Sequence, residues 1–172
     1  MSNRVIFMDV DGVLNSMRTV YANGGYPRSL DDVDQFDVHS LALIRKFCAA
    51  AGADIVLSSS WRNWNTPEAC AQAMCLPIVD KTPHIKGVTR GDEIEAWLQA
   101  HADVTEYAII DDGDGMLDYQ RCRFVRTRTE EGFGFGDYCR LCELFGINPY
   151  LEDIGEIPGH FSYIDRELWR GK

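Results

Sequence analysis

The stretch RVIFMDVDGVLN, residues 4–15, decides the fold and most of the chemistry. It begins with a near-continuous apolar run from Arg4 to Val10, which is typical of a central strand covered on both faces. Asp9 and Asp11 stand two residues apart at the end of this strand, so their side chains start on the same side. The stretch therefore predicts a buried strand with two carboxylates at its carboxyl end.

Working outward, two further apolar strands end in polar clusters. Residues 53–57 run into Ser58, Ser59 and Ser60, and residues 106–110 run into Asp111 and Asp112. Amphipathic helices over 38–52 and from Thr89 onward separate the strands, and this alternation predicts an α/β domain with a mostly parallel sheet. The carboxyl ends of parallel strands share one edge, so the three clusters are expected to meet in one cleft.

The remaining segments complete one predicted domain over 1–172. Residues 15–36 are polar and turn-rich and are expected to form a loop or small flap, and 76–79 and 123–126 to form short strands. The tail over about 148–172 is less regular and takes no assignment. A chain of 172 residues fits one domain and accommodates two poorly.

Carboxylates gathered in this way predict a divalent cation. Two unit charges 4 Å apart repel by about 4 kcal/mol at an effective dielectric near 20, so three acids at one place need a counter-ion. An all-oxygen site suits Mg²⁺, which also accepts phosphate oxygens from a substrate. A carboxylate can then attack phosphorus and form an aspartyl-phosphate, with a second carboxylate as general acid and base.

Composition narrows the class of partner and the compartment. The net charge of −10 argues against a broad basic surface for nucleic acid. The densest positive run, 121–128, favours a solvated edge strand, with a local basic cleft as the alternative. The sequence shows no secretory signal and no membrane span. A cytoplasmic protein with six reduced cysteines is expected.

Four segments resemble, in order, the motifs of the haloacid dehalogenase (HAD) superfamily. FMDVDGVLN (7–15) resembles the first motif, and IVLS (55–58) resembles the second. Arg90, which opens the helix before the last motif, resembles the third, and IIDD (109–112) the fourth. The resemblance implies a three-layer Rossmannoid sandwich. The intervals after Leu14 and Arg62 are too short for a large cap domain.

The resemblance also implies the role of each site residue. Asp9 would be the nucleophile and Asp11 the general acid and base. Mg²⁺ would be held by Asp9, the backbone carbonyl of Asp11 and Asp112, with Asp111 as second choice. Phosphate-binding residues would be Ser58, or else Ser59, together with Arg90, or else Lys86.

A closer likeness links LSSSWR (57–62), RGDEIEAWL (90–98) and IIDD to the small HAD domains of RNA-repair proteins. In the HAD superfamily the lack of a large cap implies an open cleft, which suits a phosphate on a nucleotide or at a polynucleotide end. A small-metabolite phosphatase, with the site covered by oligomerisation, and a catalytically silent binding module remain alternatives. The side chains of Trp61 and Trp64 would either pack within the protein or stack on nucleobases of the substrate. The sequence predicts no membrane partner and leaves the oligomeric state open.

Overall fold

A computed structural model describes residues 2–150 of the chain, so most of the predicted C-terminal tail lies outside the described residues. Within this part are five strands: β1 (Arg4–Met8), β2 (Asp54–Leu57), β3 (Ile78–Lys81), β4 (Glu106–Asp111) and β5 (Phe124–Arg126). The α-helices are α1 (Met17–Asn23), α2 (Val38–Ala51), α3 (Pro67–Met74), α4 (Arg90–Ala100) and α5 (Phe135–Leu144). Three short 3-10 helices cover Leu30–Gln35, Ser60–Asn63 and Asp118–Arg123.

The strands form one parallel sheet in the order β3-β2-β1-β4-β5. β1 is central, and its last residue, Met8, is paired with Leu57 of β2 and with Ile110 of β4. The three polar clusters therefore leave the sheet side by side at one edge. This confirms the predicted α/β class and the parallel sheet.

Helices cover both faces of the sheet. Ile6 and Met8 of β1 pack into one buried cluster with residues of α2, α3 and α5, whereas Val5 and Phe7 pack into another with Ile94 and Trp97 of α4. The alternation follows from the two-residue period of a strand, which sends successive side chains to opposite faces. The three-layer arrangement predicted from the sequence is confirmed.

Helix boundaries follow local capping chemistry. α2 ends at Gly52, which takes the left-handed conformation at φ 61° and donates its N–H to Cys48 O. α4 begins after Thr89, whose side chain accepts from Asp92 N while Asp92 Oδ2 accepts from Thr89 N at 2.8 Å. This reciprocal pair is the capping box that the sequence predicted.

The segment 15–36 is more regular than the predicted loop. It contains α1 and the 3-10 helix Leu30–Gln35, which start after Ser16 and Ser29. At the second start, Ser29 N donates to Asp32 Oδ2 at 3.2 Å. Polar bonds of this kind stabilise a helix of about two turns without an apolar stripe, so hydrophobic periodicity did not indicate these helices.

The strands β3 and β5 begin at later residues than the sequence predicted. β3 begins at Ile78 rather than at 76, because Leu76 N still donates to Ala71 O at the end of α3 and Pro77 has no N–H for a ladder bond. Arg121 and Arg123 lie in the 3-10 helix before β5 rather than on a strand. β5 itself is the outermost strand on its side of the sheet. This agrees with the prediction that the positive run 121–128 includes an edge strand.

No helix within residues 2–150 is both long enough and apolar enough to cross a membrane. All six cysteines lie in this part of the chain, and none forms a disulfide.

Candidate active site

The loop after β1 places the first two acids. Asp9 N donates to Ile110 O of β4 at 2.9 Å, and Asp9 Oδ1 accepts from Val10 N at 2.7 Å. The chain then turns through Gly12, where φ is +75°. A Cβ at this position would lie 2.2 Å from Asp112 Oδ2, so both the turn and the neighbouring carboxylate require glycine.

Three acids converge at this edge of the sheet. One carboxylate oxygen from each of Asp9, Asp111 and Asp112 lies within 4.8 Å of the others. The parallel pairing of β1 with β4 brings them together, because Met8 is paired with Ile110. Asp112 Oδ2 also accepts from Thr129 Oγ1 at 2.6 Å. The structure thus brings three of the four predicted acids into one group, which does not include the carboxylate of Asp11.

Burial makes this group costly to ionise. The pKa of Asp9 is raised from 3.8 to about 7, chiefly by burial and further by the charge of Asp111, while Arg90 and the Ser59 hydroxyl lower it. The pKa of Asp111 is also raised, with burial as the largest cause. A divalent cation among these oxygens would favour the ionised carboxylates, so the donor set and its electrostatics fit Mg²⁺.

Arg90 is the cation in contact with the acids. Its guanidinium lies 3.6 Å from Asp9 Oδ2 and 3.4 Å from Asp111 Oδ2, at the first residue of α4. Lys86 is exposed and lines a neighbouring cavity of about 440 Å³ together with Arg90. In the part of the chain from 2 to 150, Lys86 forms no ion pair with the acids.

The serine cluster supplies two buried hydroxyls. Ser58 is 1% exposed and follows β2 directly, and its N–H donates to Met8 O at 2.8 Å. The Ser58 Oγ has no hydrogen-bond partner among residues 2–150. Ser59 is fully buried, and its hydroxyl accepts from Trp61 N at 3.4 Å and helps to lower the pKa of Asp9. Both serines therefore follow β2 at the sheet edge where Asp9 follows β1, and the Ser59 hydroxyl is the one that acts on the Asp9 pKa.

Asp11 is held by two neutral donors that sequence reasoning did not assign to the site. Asn15 Nδ2 donates to Asp11 Oδ1 at 2.7 Å, and the Trp61 indole N–H donates to Asp11 Oδ2 at 3.1 Å. Trp61 is 6% exposed and packs edge-to-face on Phe36. Trp61 thus combines the expected packing with a contact to the predicted general acid. Its position directly after the serine cluster was the available signal.

A buried ion pair between Arg62 and Glu93 joins the serine turn to α4. Arg62 also donates to Ser59 O at 2.7 Å, and Glu93 Oε1 accepts from Ile85 N at 2.9 Å. Burial is the largest effect on the Arg62 pKa and lowers it, while the charge of Glu93 opposes the change. The pair links the elements that carry Ser59 and Arg90, and nothing in the motif spacing indicated it.

The segment 127–133, which follows β5, is hydrogen-bonded to the loop that follows β1. Thr127 is 3% exposed, and its hydroxyl donates to Gly12 O at 2.8 Å. Phe133 N donates to Val13 O at 2.9 Å. Together with the contact from Thr129 to Asp112, these bonds hold the acidic loop from the side of β5. Thr129 was missed, because no sequence motif marks this segment.

Comparison with curated protein sequences found no match. A family model described as the HAD domain in Swiss Army Knife RNA repair proteins matches residues 5–135, which include every predicted motif. This confirms the resemblance on which the site assignment was based. The chain belongs to the family of HAD domains found in Swiss Army Knife RNA repair proteins.

Proposed function

We propose that the chain is a Mg²⁺-dependent phosphomonoester hydrolase that works through an aspartyl-phosphate on Asp9. The observation that carries the proposal is the convergence of Asp9, Asp111 and Asp112 within 4.8 Å of one another, beside the guanidinium of Arg90. Carboxylates gathered around one cationic side chain suit phosphoryl transfer, in which catalysis is mostly positioning and charge stabilisation.

Asp9, Asp112 and the backbone carbonyl of Asp11 would hold the metal. Asp111 is the less favoured ligand, because its Oδ1 accepts from Gly113 N at 2.8 Å and its Oδ2 faces Arg90. Only Oδ2 of Asp112 is engaged by a hydrogen bond within the described residues, which supports Asp112 as the direct ligand. When bound, Mg²⁺ would reduce the repulsion between the nucleophilic carboxylate and the phosphate dianion.

The protein's own groups would carry out the two displacements. A carboxylate oxygen of Asp9 forms a bond to phosphorus as the bond to the leaving oxygen breaks, and Asp11 gives its proton to that oxygen. Asp11 then takes a proton from water as the water oxygen attacks phosphorus and the bond to Asp9 breaks. Arg90 and the hydroxyls of Ser59 and Ser58 would hold the phosphoryl oxygens throughout.

Trp61 and Asn15 would act as positioning residues for Asp11. Each donates to a different carboxylate oxygen, so the carboxylate plane is held in one orientation. A fixed carboxylate suits a general acid that must reach the leaving oxygen, because proton transfer requires hydrogen-bond geometry.

We propose a phosphate on a nucleotide or at a polynucleotide end as the substrate. The description of the family, which places these domains in RNA repair proteins, supports this class. The small helical insertion over 15–36 also supports it, because a large cap that would enclose a small metabolite does not fit in this interval.

We further propose that 1–172 forms one domain. A single sheet with one set of covering helices accounts for residues 4–144, and the two buried clusters lie on the two faces of that same sheet.

Turnover of p-nitrophenyl phosphate with Mg²⁺ tests the proposed reaction. Asp9→Asn and Asp11→Asn should each lower the rate by at least ~10³-fold, whereas Asp103→Asn, at an exposed position, should behave like the wild type. Rapid quenching followed by mass spectrometry should detect a phosphorylated Asp9 peptide. Wild-type turnover by Asp9→Asn would exclude Asp9 as the nucleophile.

A screen of phosphorylated compounds tests the substrate class. It should include nucleotides, sugar phosphates, and oligonucleotides phosphorylated at the 3′ or 5′ end. We expect the highest kcat/KM for nucleotides or oligonucleotide ends. If only small sugar phosphates are hydrolysed, the nucleic-acid proposal is wrong, although the phosphatase proposal stands.

A further inference from the structure

A cavity of about 320 Å³ lies directly beside the predicted general acid. We call it the Asp11 cavity, and its lining includes Asp11, Arg28, Ser60, Trp61 and Trp64. It lies between the helical insertion, which contributes Arg28, and the 3-10 helix after β2, which contributes Ser60 and Trp61. The volume falls in the range of sites for small organic ligands.

The position of Asp11 indicates which part of a substrate would occupy this cavity. A general acid must contact the oxygen that leaves phosphorus, so the leaving group lies on the Asp11 side of the phosphate. Arg90 does not line the Asp11 cavity and instead lines the neighbouring cavity that contains Lys86, and Ser60 lines both cavities. In-line displacement places the leaving oxygen opposite the Asp9 oxygen across phosphorus, so the leaving group would extend from the phosphate towards the Asp11 cavity.

The two tryptophans in the lining differ in a way that ordinary packing does not explain. Trp61 is buried and contacts Asp11 and Phe36. Trp64, three residues later, is 78% exposed at the edge of the cavity. An indole ring left exposed beside a polar cavity provides a flat surface on which an aromatic ring can stack.

Arg28 adds a cation to the same cavity in a chain whose net charge is −10. Its backbone N–H donates to Asp32 Oδ2 at 2.8 Å, which anchors the main chain. Its side chain is exposed and forms no ion pair with an acid between residues 2 and 150. An exposed aromatic ring beside a cation is the combination that binds single-stranded nucleic acid.

We propose that the Asp11 cavity binds the nucleoside that carries the scissile phosphate. The nucleobase stacks on Trp64, and Arg28 contacts the next phosphate along the strand. This inference rests on the proposed phosphatase function and makes it more specific, because it assigns base recognition to Trp64 and strand recognition to Arg28.

The test compares two oligonucleotides of equal length that bear the same terminal phosphate. In one the terminal residue carries its base, and in the other it is abasic. The wild type should favour the base-bearing end in kcat/KM. Trp64→Ala should reduce that preference by about 10-fold or more, since one stacked base corresponds to about 5- to 150-fold, whereas Trp64→Phe should retain most of it.

Tyr21→Ala is the matched control. Tyr21 is 79% exposed on α1 and does not line the cavity, so the preference should change by less than about 2-fold. For strand recognition, Arg28→Ala should reduce the preference for an oligonucleotide over a mononucleotide. Arg140→Ala, which removes an exposed cation from α5, should not.

Binding provides a readout that is independent of turnover. Asp9→Asn protein should bind a fluorescently labelled, base-bearing phosphorylated oligonucleotide more tightly than the abasic form, and Trp64→Ala should remove the difference. Equal preference in the wild type and Trp64→Ala would overturn the inference while leaving the phosphatase proposal intact. Base-dependent binding without hydrolysis of any phosphomonoester would instead sink the proposed reaction and retain the cavity assignment.

Discussion

Replacing Asp9 with asparagine should make the metal-free protein more stable at alkaline pH while abolishing turnover. The Asp9 side chain is 13% exposed and lies close to a second buried acid, Asp111. Burial and that neighbouring charge raise the Asp9 pKa to about 7, although Arg90 partly compensates. The folded state therefore disfavours the ionised carboxylate that catalysis needs.

The magnitude follows from the difference in pKa between the folded and the unfolded chain. The Asp9 pKa is about 7 in the folded protein and 3.8 in the unfolded chain. Ionisation of Asp9 therefore lowers the free energy of unfolding at pH 8 by about 4 kcal/mol, compared with the protonated form. Because the raised pKa favours the folded state only while Asp9 is protonated, the stability that the protonated group contributes is fully present below pH 3.8. It is lost as the pH rises through 7. Asparagine avoids the loss, since it carries no charge in either state.

The assay is urea unfolding in the presence of a chelator, at pH 8 and at pH 4.5. Asp9→Asn should gain about 2–4 kcal/mol over the wild type at pH 8, because it carries no buried charge, and about 1 kcal/mol at pH 4.5. Removing the Asp9 charge also makes the ionisation of Asp111 easier, which adds to the gain at pH 8. Asp103→Asn, at an exposed surface position, should change little at either pH.

Adding Mg²⁺ at pH 8 should narrow or reverse this difference, because the ion binds the wild-type acids and stabilises the folded state by mass action. The reasoning would be refuted if Asp9→Asn were no more stable than the wild type at pH 8 without metal. A gain of equal size at both pH values would likewise show that burial of the charge is not its cause.

Three further substitutions test the remaining parts of the site. Trp61→Phe removes the indole N–H that holds the general acid. Because a hydrogen bond to a charged group contributes about 1.5–3 kcal/mol, kcat should fall about 10- to 100-fold with little change in Mg²⁺ affinity. An unchanged kcat would contradict the positioning role. Gly12→Ala places a Cβ 2.2 Å from Asp112 Oδ2 and adds about 1–2 kcal/mol of left-handed strain, so calorimetry should show at least about 10-fold weaker Mg²⁺ binding. Arg90→Ala should lower kcat/KM by about 10²-fold or more, whereas Lys86→Ala should change it by less than about 3-fold; the opposite order would assign the phosphate-binding role to Lys86.

The sequence alone was sufficient to identify the sheet and the group of acids. A short apolar run that ends in acidic residues is a local pattern, and the geometry of parallel strands brings such ends to one edge. The pairing of Met8 with both Leu57 and Ile110 confirmed that reasoning. The family match then confirmed the resemblance to the HAD domains of RNA-repair proteins.

The segment 15–36 shows where local pattern was insufficient. Its helices are short and begin with polar bonds rather than an apolar stripe: Ser16 N donates to Thr19 Oγ1, and Ser29 Oγ accepts from Asp31 N. Hydrophobic periodicity carries little information over one or two helical turns, so the sequence indicated only a flap. The flap matters for function, because Arg28 of this segment lines the Asp11 cavity.

What only the tertiary structure decided is which distant side chains touch the acids. Trp61 reaches Asp11 across 50 residues of chain, and Thr129 reaches Asp112 across 17. Such contacts depend on how the elements pack in three dimensions, and residue spacing does not encode that geometry. The positions of the strands and acids along the chain therefore followed from local chemistry, whereas the order of the strands in the sheet, the orientation of the general acid and the exposure of Trp64 were decided by packing.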